Sequence, residues 1–366
     1  MIGRRSAYRG CLLGMAIGDA MGYPVDTKNL DQIRSDYGPN GLMGYDLVNG
    51  YADITSHTQL AAFTGNGLLL GLTRGQVYGR MGPYVRYAHL AQREWAMGQR
   101  RYDQPDQNRC WTFLVPEFRR RHCTDTRIVE ILNREKFGTL ETPVNTYDNP
   151  VGIAAAVSAA LFAVTVKMEQ AEADRLGAEI IALTYGSPLA FLPGAVIVHL
   201  ITKSIREKEM PLEELVEEAI TALDAQFGSQ FRQTAQVIAL LRQAISLSNN
   251  FDVFPADAME RLGCDSGAEV LAGAVYSALI YEKDFDSALI SSVNHSGRSA
   301  ATGAITGAIL GARLGEKALP DFYLEGLEIL PVIQLLADDL QQGCPMTARG
   351  SLFDMDWDRK YLHGGK

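Results

Sequence analysis

Residues 10–22 read GCLLGMAIGDAMG, with glycine at every fourth position: Gly10, Gly14, Gly18 and Gly22. At 3.6 residues per turn, positions four apart share one helix face, so the series predicts a helix with one face stripped of side chains. An interior helical glycine costs up to about 1 kcal/mol relative to alanine, and a row of them needs a packing reason. The reason is close approach of another helix. The same spacing returns at Gly67, Gly71 and Gly75, and again at Gly303, Gly307 and Gly311. Tight core packing is the simplest reading of the three series. The sharper reading is that these helices converge so that short side chains at their ends meet.

Outward from residues 10–22, apolar residues recur at helical rather than alternating spacing. The periodic segments lie near 6–22, 57–73, 151–168, 174–186, 190–206, 212–227, 231–247, 267–281, 285–292, 299–314 and 327–342. The fold class is therefore all-α. Asn149-Pro150 predicts a helix start, because a capping side chain precedes a residue whose missing N–H is harmless there; Pro211 opens LEELVEEAITAL in the same way. Between about 84 and 148 the periodicity weakens among polar residues, prolines and aromatics, which predicts short helices and loops beside the main bundle. No linker divides the chain, so residues 1–366 read as one domain.

The formal net charge is −9 and the basic residues are scattered, which excludes a backbone-binding face for nucleic acid. No apolar run is long enough to span a bilayer. Asp19 and the regular glycines interrupt the apolar stretch that follows Arg4 and Arg5, against a secretory signal. Five widely spaced cysteines without a CxxC pair fit reduced thiols and a cytoplasmic location.

Three stretches bear on chemistry: residues 10–22, ITSHTQL at 54–60, and VNHSGRSAATGAI at 293–305. They resemble the signature regions of the ADP-ribosylglycohydrolase family, of the dinitrogenase reductase-activating glycohydrolase type. YGPNG at 37–41, LTYGSP at 183–188, GAEVL at 267–271 and LADDL at 336–340 follow in family order, so the resemblance covers about residues 6 to 342. It implies a compact orthogonal helical bundle around a pair of divalent ions, usually Mg or Mn. It also implies hydrolysis of the bond joining ADP-ribose to a protein side chain or a related acceptor.

The resemblance places the metal ligands on a Thr/Ser-Asp-Asp-Thr turn and an Asp-x-Asp-Thr/Ser turn, since hard cations need dense carboxylate oxygens. Here the first turn reads Thr55, Ser56, His57, Thr58, and the second carries Arg298, Ala300 and Ala301 at its ligand positions. Only Thr55 keeps a suitable oxygen, and a permanently charged guanidinium at Arg298 repels a divalent ion. The expectation is that no cofactor is bound, Mg and Mn having lost their ligands. Of the family's central Asn-x-Ser-Lys-Gly-Cys-Gly only Asn145 remains, and its His-Gly-His-Pro reads Tyr185, Gly186, Ser187, Pro188.

Three readings follow. In the first, the protein is a metal-free pseudo-enzyme that binds an ADP-ribose-like or other anionic ligand, or a protein partner. Its candidate ligand-binding residues are Thr55, Ser56, His295, Ser296, Gly297, Arg298, Asn145, Tyr185 and Glu269; the plainer alternative pairs Arg298 with Asp19 or Asp53. In the second, a divergent hydrolase of ADP-ribosyl or related N-glycosidic bonds uses His57 as general base, oriented by Asp19, Asp53 or Glu269. Asp19 also suits a role pinning backbone at a helix end, and His57 with His295 suits a softer ion such as zinc. In the third, residues 84–148 dock a partner through Tyr84, Tyr87, Trp95, Tyr102 and Trp111.

Overall fold

The computed structural model describes residues 3–80, 82–100, 108–122, 125–134, 136–348 and 351–366. Seventeen α-helices carry them: α1 Arg4–Gly22, α2 Leu30–Tyr37, α3 Ser56–Tyr78, α4 Tyr84–Gly98, α5 Arg127–Leu132, α6 Ala155–Thr165, α7 Gln170–Ala182, α8 Pro188–Arg206 and α9 Leu212–Phe227. The series continues with α10 Thr234–Ser248, α11 Pro255–Leu262, α12 Gly267–Ile280, α13 Phe285–Val293, α14 Ser299–Leu314, α15 Asp321–Glu325, α16 Leu330–Gln342 and α17 Met355–Leu362. Among the described residues, extended pairing is limited to one bridge between Val48 and Tyr51.

The glycine faces of α1 and α14 lie directly on each other, antiparallel. Gly10 faces Gly311, Gly14 faces Gly307, Gly18 faces Gly303, and Gly22 faces Ser299, each meeting the backbone carbonyl of its opposite number. A Cβ on Gly307 would stand 2.6 Å from the Gly14 carbonyl carbon, well inside van der Waals contact. The third series behaves differently: Gly67 and Gly71 of α3 accept the Tyr87 backbone and ring from α4. A close crossing that the sequence reading did not single out joins α7 to α8, where Gly177 and Gly194 face each other's carbonyls.

Helix α8 runs through the middle, packed against α6, α7, α9, α10, α12 and α14. Among the described residues it is the one helix long and apolar enough to cross a membrane, and it is mostly buried inside the fold. It reads as a core helix.

Several expectations need correction. Helix α6 begins at Ala155 rather than at Asn149-Pro150, because Gly152 takes φ +90° and residues 150–157 first close i→i+3 turns. Asn149 still caps locally, accepting from the Val151 N–H at 2.9 Å. Helix α7 spans Gln170–Ala182 rather than 174–186, since the Asn145 side chain binds both the Thr184 carbonyl and the Gly186 N–H and pulls that segment out of the helix. Residues 84–98, expected as short helices and loops, form the 15-residue helix α4. Four of the five candidate aromatic anchors pack against the fold. Trp95 is fully buried and donates to Gln59 at 2.8 Å, Trp111 is buried, Tyr84 packs edge-on against Phe162, and Tyr87 fills the α3 glycine groove. Tyr102 lies outside the described residues.

Candidate functional site

Stacking α1 against α14 sets the C-terminal half of α1 beside the N-terminus of α14, and Asp19 on α1 ties this crossing to the start of α3. Its carboxylate is fully buried and accepts four hydrogen bonds: from the Thr55 N–H and hydroxyl at 2.9 and 2.6 Å, and from the Thr58 N–H and hydroxyl at 3.1 and 2.6 Å. Thr55 is the N-cap, its oxygen also accepting from the His57 N–H at 3.2 Å, and the Ser56 N–H donates to the His122 carbonyl. Asp19 therefore pins the first turn of α3, and both its oxygens are spent in doing so.

Next to this turn, His57 is 3 % exposed and its Nδ1 has no hydrogen-bond partner. Burial holds its pKa below the ordinary value, with Asp19 opposing and the Arg298 charge reinforcing the shift. His57 is thus neutral, and both charges are near enough to act on it. No bond to Asp19 orients the ring. Asp53 pairs with Arg120 at 3.1 Å, and Arg120 also binds Glu328 at 2.6 Å. Glu269 closes the capping box of α12, accepting from the Ser266 N–H at 2.9 Å. The three carboxylates expected to orient His57 are each engaged elsewhere.

Arg298 is the N-cap residue of α14 and partly buried. Its Nε donates to Asp265 at 3.0 Å, so its partner is neither Asp19 nor Asp53. Asp265 sits just before α12, and the Arg298 N–H also reaches across to the Cys264 carbonyl at 2.8 Å. Among the described residues the two terminal nitrogens of Arg298 make no hydrogen bond. Ala300 and Ala301 lie buried on α14; Ser299, also buried, has an unpaired hydroxyl.

A carboxylate absent from the sequence reading joins this end of α14. Asp26, just beyond α1, accepts from the Ala300 N–H at 3.2 Å. Burial pushes its pKa up to about 6, against the Ala300 bond and the Arg298 charge. Tyr23 and His122 were missed as well. Their rings stack at 5.0 Å, and His122 Nδ1 pairs with the Ile54 carbonyl at 3.0 Å. Tyr23 is raised by burial and then by Asp53, Asp19 and Asp26, which places it amid those carboxylates. A signal for Asp26 was available: it is the first acid after Asp19, beyond a proline turn in an otherwise apolar stretch. His122 lies where the periodicity fails and gives no such signal.

The remaining candidates are structural linkers around the same junction. His295 is fully buried with Nδ1 on the Ser296 carbonyl and Nε2 unpaired, and burial lowers its pKa. Ser296 accepts from the Leu30 N–H, and the Gly297 carbonyl from the Thr27 N–H, so this loop clasps the segment after α1. Asn145 and Tyr185 belong to a neighbouring cluster, where the Tyr185 hydroxyl donates to Asp125 at 2.9 Å and Arg127 lies over the Tyr147 ring. The Asp148 carbonyl accepts from the Gly267 N–H, which connects that cluster to α12 and thence to Arg298.

These residues do not fit a divalent pair. Both Asp19 oxygens are already hydrogen-bonded, Asp53 is ion-paired, and a guanidinium stands at the cap of α14. Among the described residues no group of three or more His, Cys, Asp or Glu side chains is placed to hold a metal, and no third ligand joins His57 and His295 for zinc.

The fold and this junction define an all-helical protein in which a caged aspartate ties α1 to the start of α3 and a cap arginine ties α14 to the turn before α12. The family model described as ADP-ribosylglycohydrolase matches residues 2–349, nearly the whole chain, and the chain belongs to that family. It is also similar to a solved structure titled ADP-ribosylglycohydrolase-related protein complex, with 18% identity over 93% of this chain and 99% of that one, at a TM-score of 0.55. At that identity the likeness concerns the fold. Comparison with curated proteins finds no match.

Proposed function

We propose that this family member is a metal-independent binding protein, taking an ADP-ribose-like anion at the mouth where α3 and α14 begin. The carrying observation is Arg298, whose Nε is held by Asp265 while its terminal nitrogens make no hydrogen bond among the described residues. A planar fork of this kind suits a phosphate pair, and it stands at the positive end of α14. The Ala300 N–H is engaged by Asp26, so an incoming phosphate shares this helix end with, or takes it from, a carboxylate that ionises near pH 6. Tyr23 and His122 supply stacked rings at the rim. Four buried or half-buried cysteine thiols, among the described residues, are in keeping with a reducing, cytoplasmic setting.

Calorimetric titration with ADP-ribose, with EDTA present, tests the reading. The expected result is saturable binding that Arg298→Ala weakens by about tenfold or more, the usual loss for a charge-assisted pair. Absence of binding at millimolar ligand refutes it.

A second reading rests on Asp26, whose ionisation near pH 6 suits acid–base chemistry beside a neutral His57. Release of ADP-ribose from an ADP-ribosylated arginine substrate in EDTA, lost in Asp26→Asn, supports that reading over the first.

A further inference from the structure

The far end of α3 carries a second cluster of cations. A cavity of about 840 Å³ is lined by Leu70, Arg74, Tyr78, Arg109, His363 and Lys366, with Asn108 and Leu362 completing its wall. Among the described residues no acidic side chain lines it, in a chain of net charge −9. At 1.5 Å per residue, Arg74 stands roughly 27 Å along α3 from the mouth described above.

Neither guanidinium is spent. Among the described residues the Arg74 and Arg109 side chains make no hydrogen bond and no ion pair, although the Arg109 charge is near enough to Glu94 to act on it. Two acids that touch lining residues are engaged. Glu94 is bound by the Arg109 and Cys110 backbone N–H groups at 2.7 and 2.9 Å, and Asp358 pairs with His363 at 3.2 Å.

The wall is preformed. Asn108 donates to the Gly364 carbonyl at 2.6 Å, the Gly365 N–H donates to the Arg359 carbonyl at 2.8 Å, and Trp357 fixes α17 on α3 through Thr73 at 2.9 Å. A Cβ on Gly364 would stand 2.9 Å from the Asn108 amide nitrogen, so backbone and side chain meet there without slack. Tyr78 offers an exposed ring at the rim.

We propose that this cavity is a second ligand site, for a small molecule bearing two or more linked phosphates, held by the forks of Arg74 and Arg109. Its volume falls in the range of small-molecule sites, and two forks held in no ion pair match a diphosphate better than a monoanion. Tyr78 is placed to stack on a ring attached to the phosphates.

Inorganic pyrophosphate is the probe, titrated calorimetrically into the full chain at low salt, with sulfate as the charge control. The site requires saturable pyrophosphate binding at least about tenfold tighter than sulfate, and a loss of about tenfold or more in R74A/R109A. Arg298→Ala leaves this binding unchanged, which separates the cavity from the α14 mouth. R74K/R109K keeps the charge without the fork and is expected to bind between wild type and the alanine pair; it decides the matter if the alanine pair fails to fold. Equal affinity for sulfate, full binding by either double variant, or loss of binding in Arg298→Ala overturns the proposal, as does no binding at about 5 mM.

Discussion

Replacing Gly307 by alanine tests the packing that positions the mouth. The added Cβ stands 2.6 Å from the Gly14 carbonyl carbon, against about 3.5–4.0 Å for an ordinary carbon contact, so α1 and α14 must part by roughly 1 Å. What it meets is backbone, with no side-chain rotamer to yield. Overpacking of this kind costs about 1–3 kcal/mol, partly offset by up to about 1 kcal/mol of better helix propensity. A net loss of about 1–2 kcal/mol is expected. Gly14→Ala at the same level does likewise, but the double variant is sub-additive, because the second Cβ enters a gap the first has opened. Gly65→Ala in α3 is the control. Its Cβ meets side chains alone, the Ser158 hydroxyl at 3.2 Å, the Leu340 methyl at 3.4 Å and the Ser158 Cβ at 3.5 Å, and stability is expected to stay level or rise by up to about 1 kcal/mol. Urea unfolding followed by circular dichroism measures all four variants. A neutral or stabilising Gly307→Ala refutes the reasoning, since the gain in propensity would then exceed the clash.

Asp19→Ala leaves four buried donors on Thr55 and Thr58 without their acceptor, and a loss of about 3–5 kcal/mol in thermal or urea unfolding is expected; a loss under about 1 kcal/mol contradicts the cage. Asp26 has the opposite sign. Its folded pKa of about 6 lies above the ordinary 3.8, so between these values the native state holds more proton than the unfolded one, and stability falls as pH rises through that window. Discounted for partial exposure, the loss is about 1–2 kcal/mol, complete above pH 7. Asp26→Asn is therefore expected to be more stable than wild type at pH 8 and equal to it near pH 4. Denaturant midpoints at the two pH values decide, and a less stable variant at pH 8 contradicts this account.

Periodicity carried the fold class, because the long amphipathic and glycine-faced helices each satisfy their own backbone and leave a regular imprint. It did not say which glycine face meets which. The pairing of Gly10 with Gly311 and of Gly18 with Gly303 is a relation between distant segments, and α3 shows that the same spacing can instead accept an aromatic ring. Short helices such as α2, α11 and α17 escaped because eight residues hold barely two turns of pattern. At the site, the resemblance pointed to Ser56, His57, Arg298 and Ala300, and the role of Asp19 in pinning backbone was legible as an alternative. The partner of Arg298 was not. Asp265 reaches it only through the turn between α11 and α12, while the nearer-seeming Asp53 is drawn off by Arg120, a residue from the irregular segment.

The facing of α1 and α14 also sets the order in which the chain can mature. About 280 residues separate Gly22 from Ser299, so the flat face of α1 leaves the ribosome long before its counterpart exists. At about 5–20 residues per second the wait is roughly 15–60 s. Through that interval the glycine stripe of α1 has no native cover, although its Asp19 and Tyr8 can already meet α3 and α6. Nascent-chain stalling before and after residue 311, read by protease sensitivity of α1, would show when the bundle first closes around its own beginning.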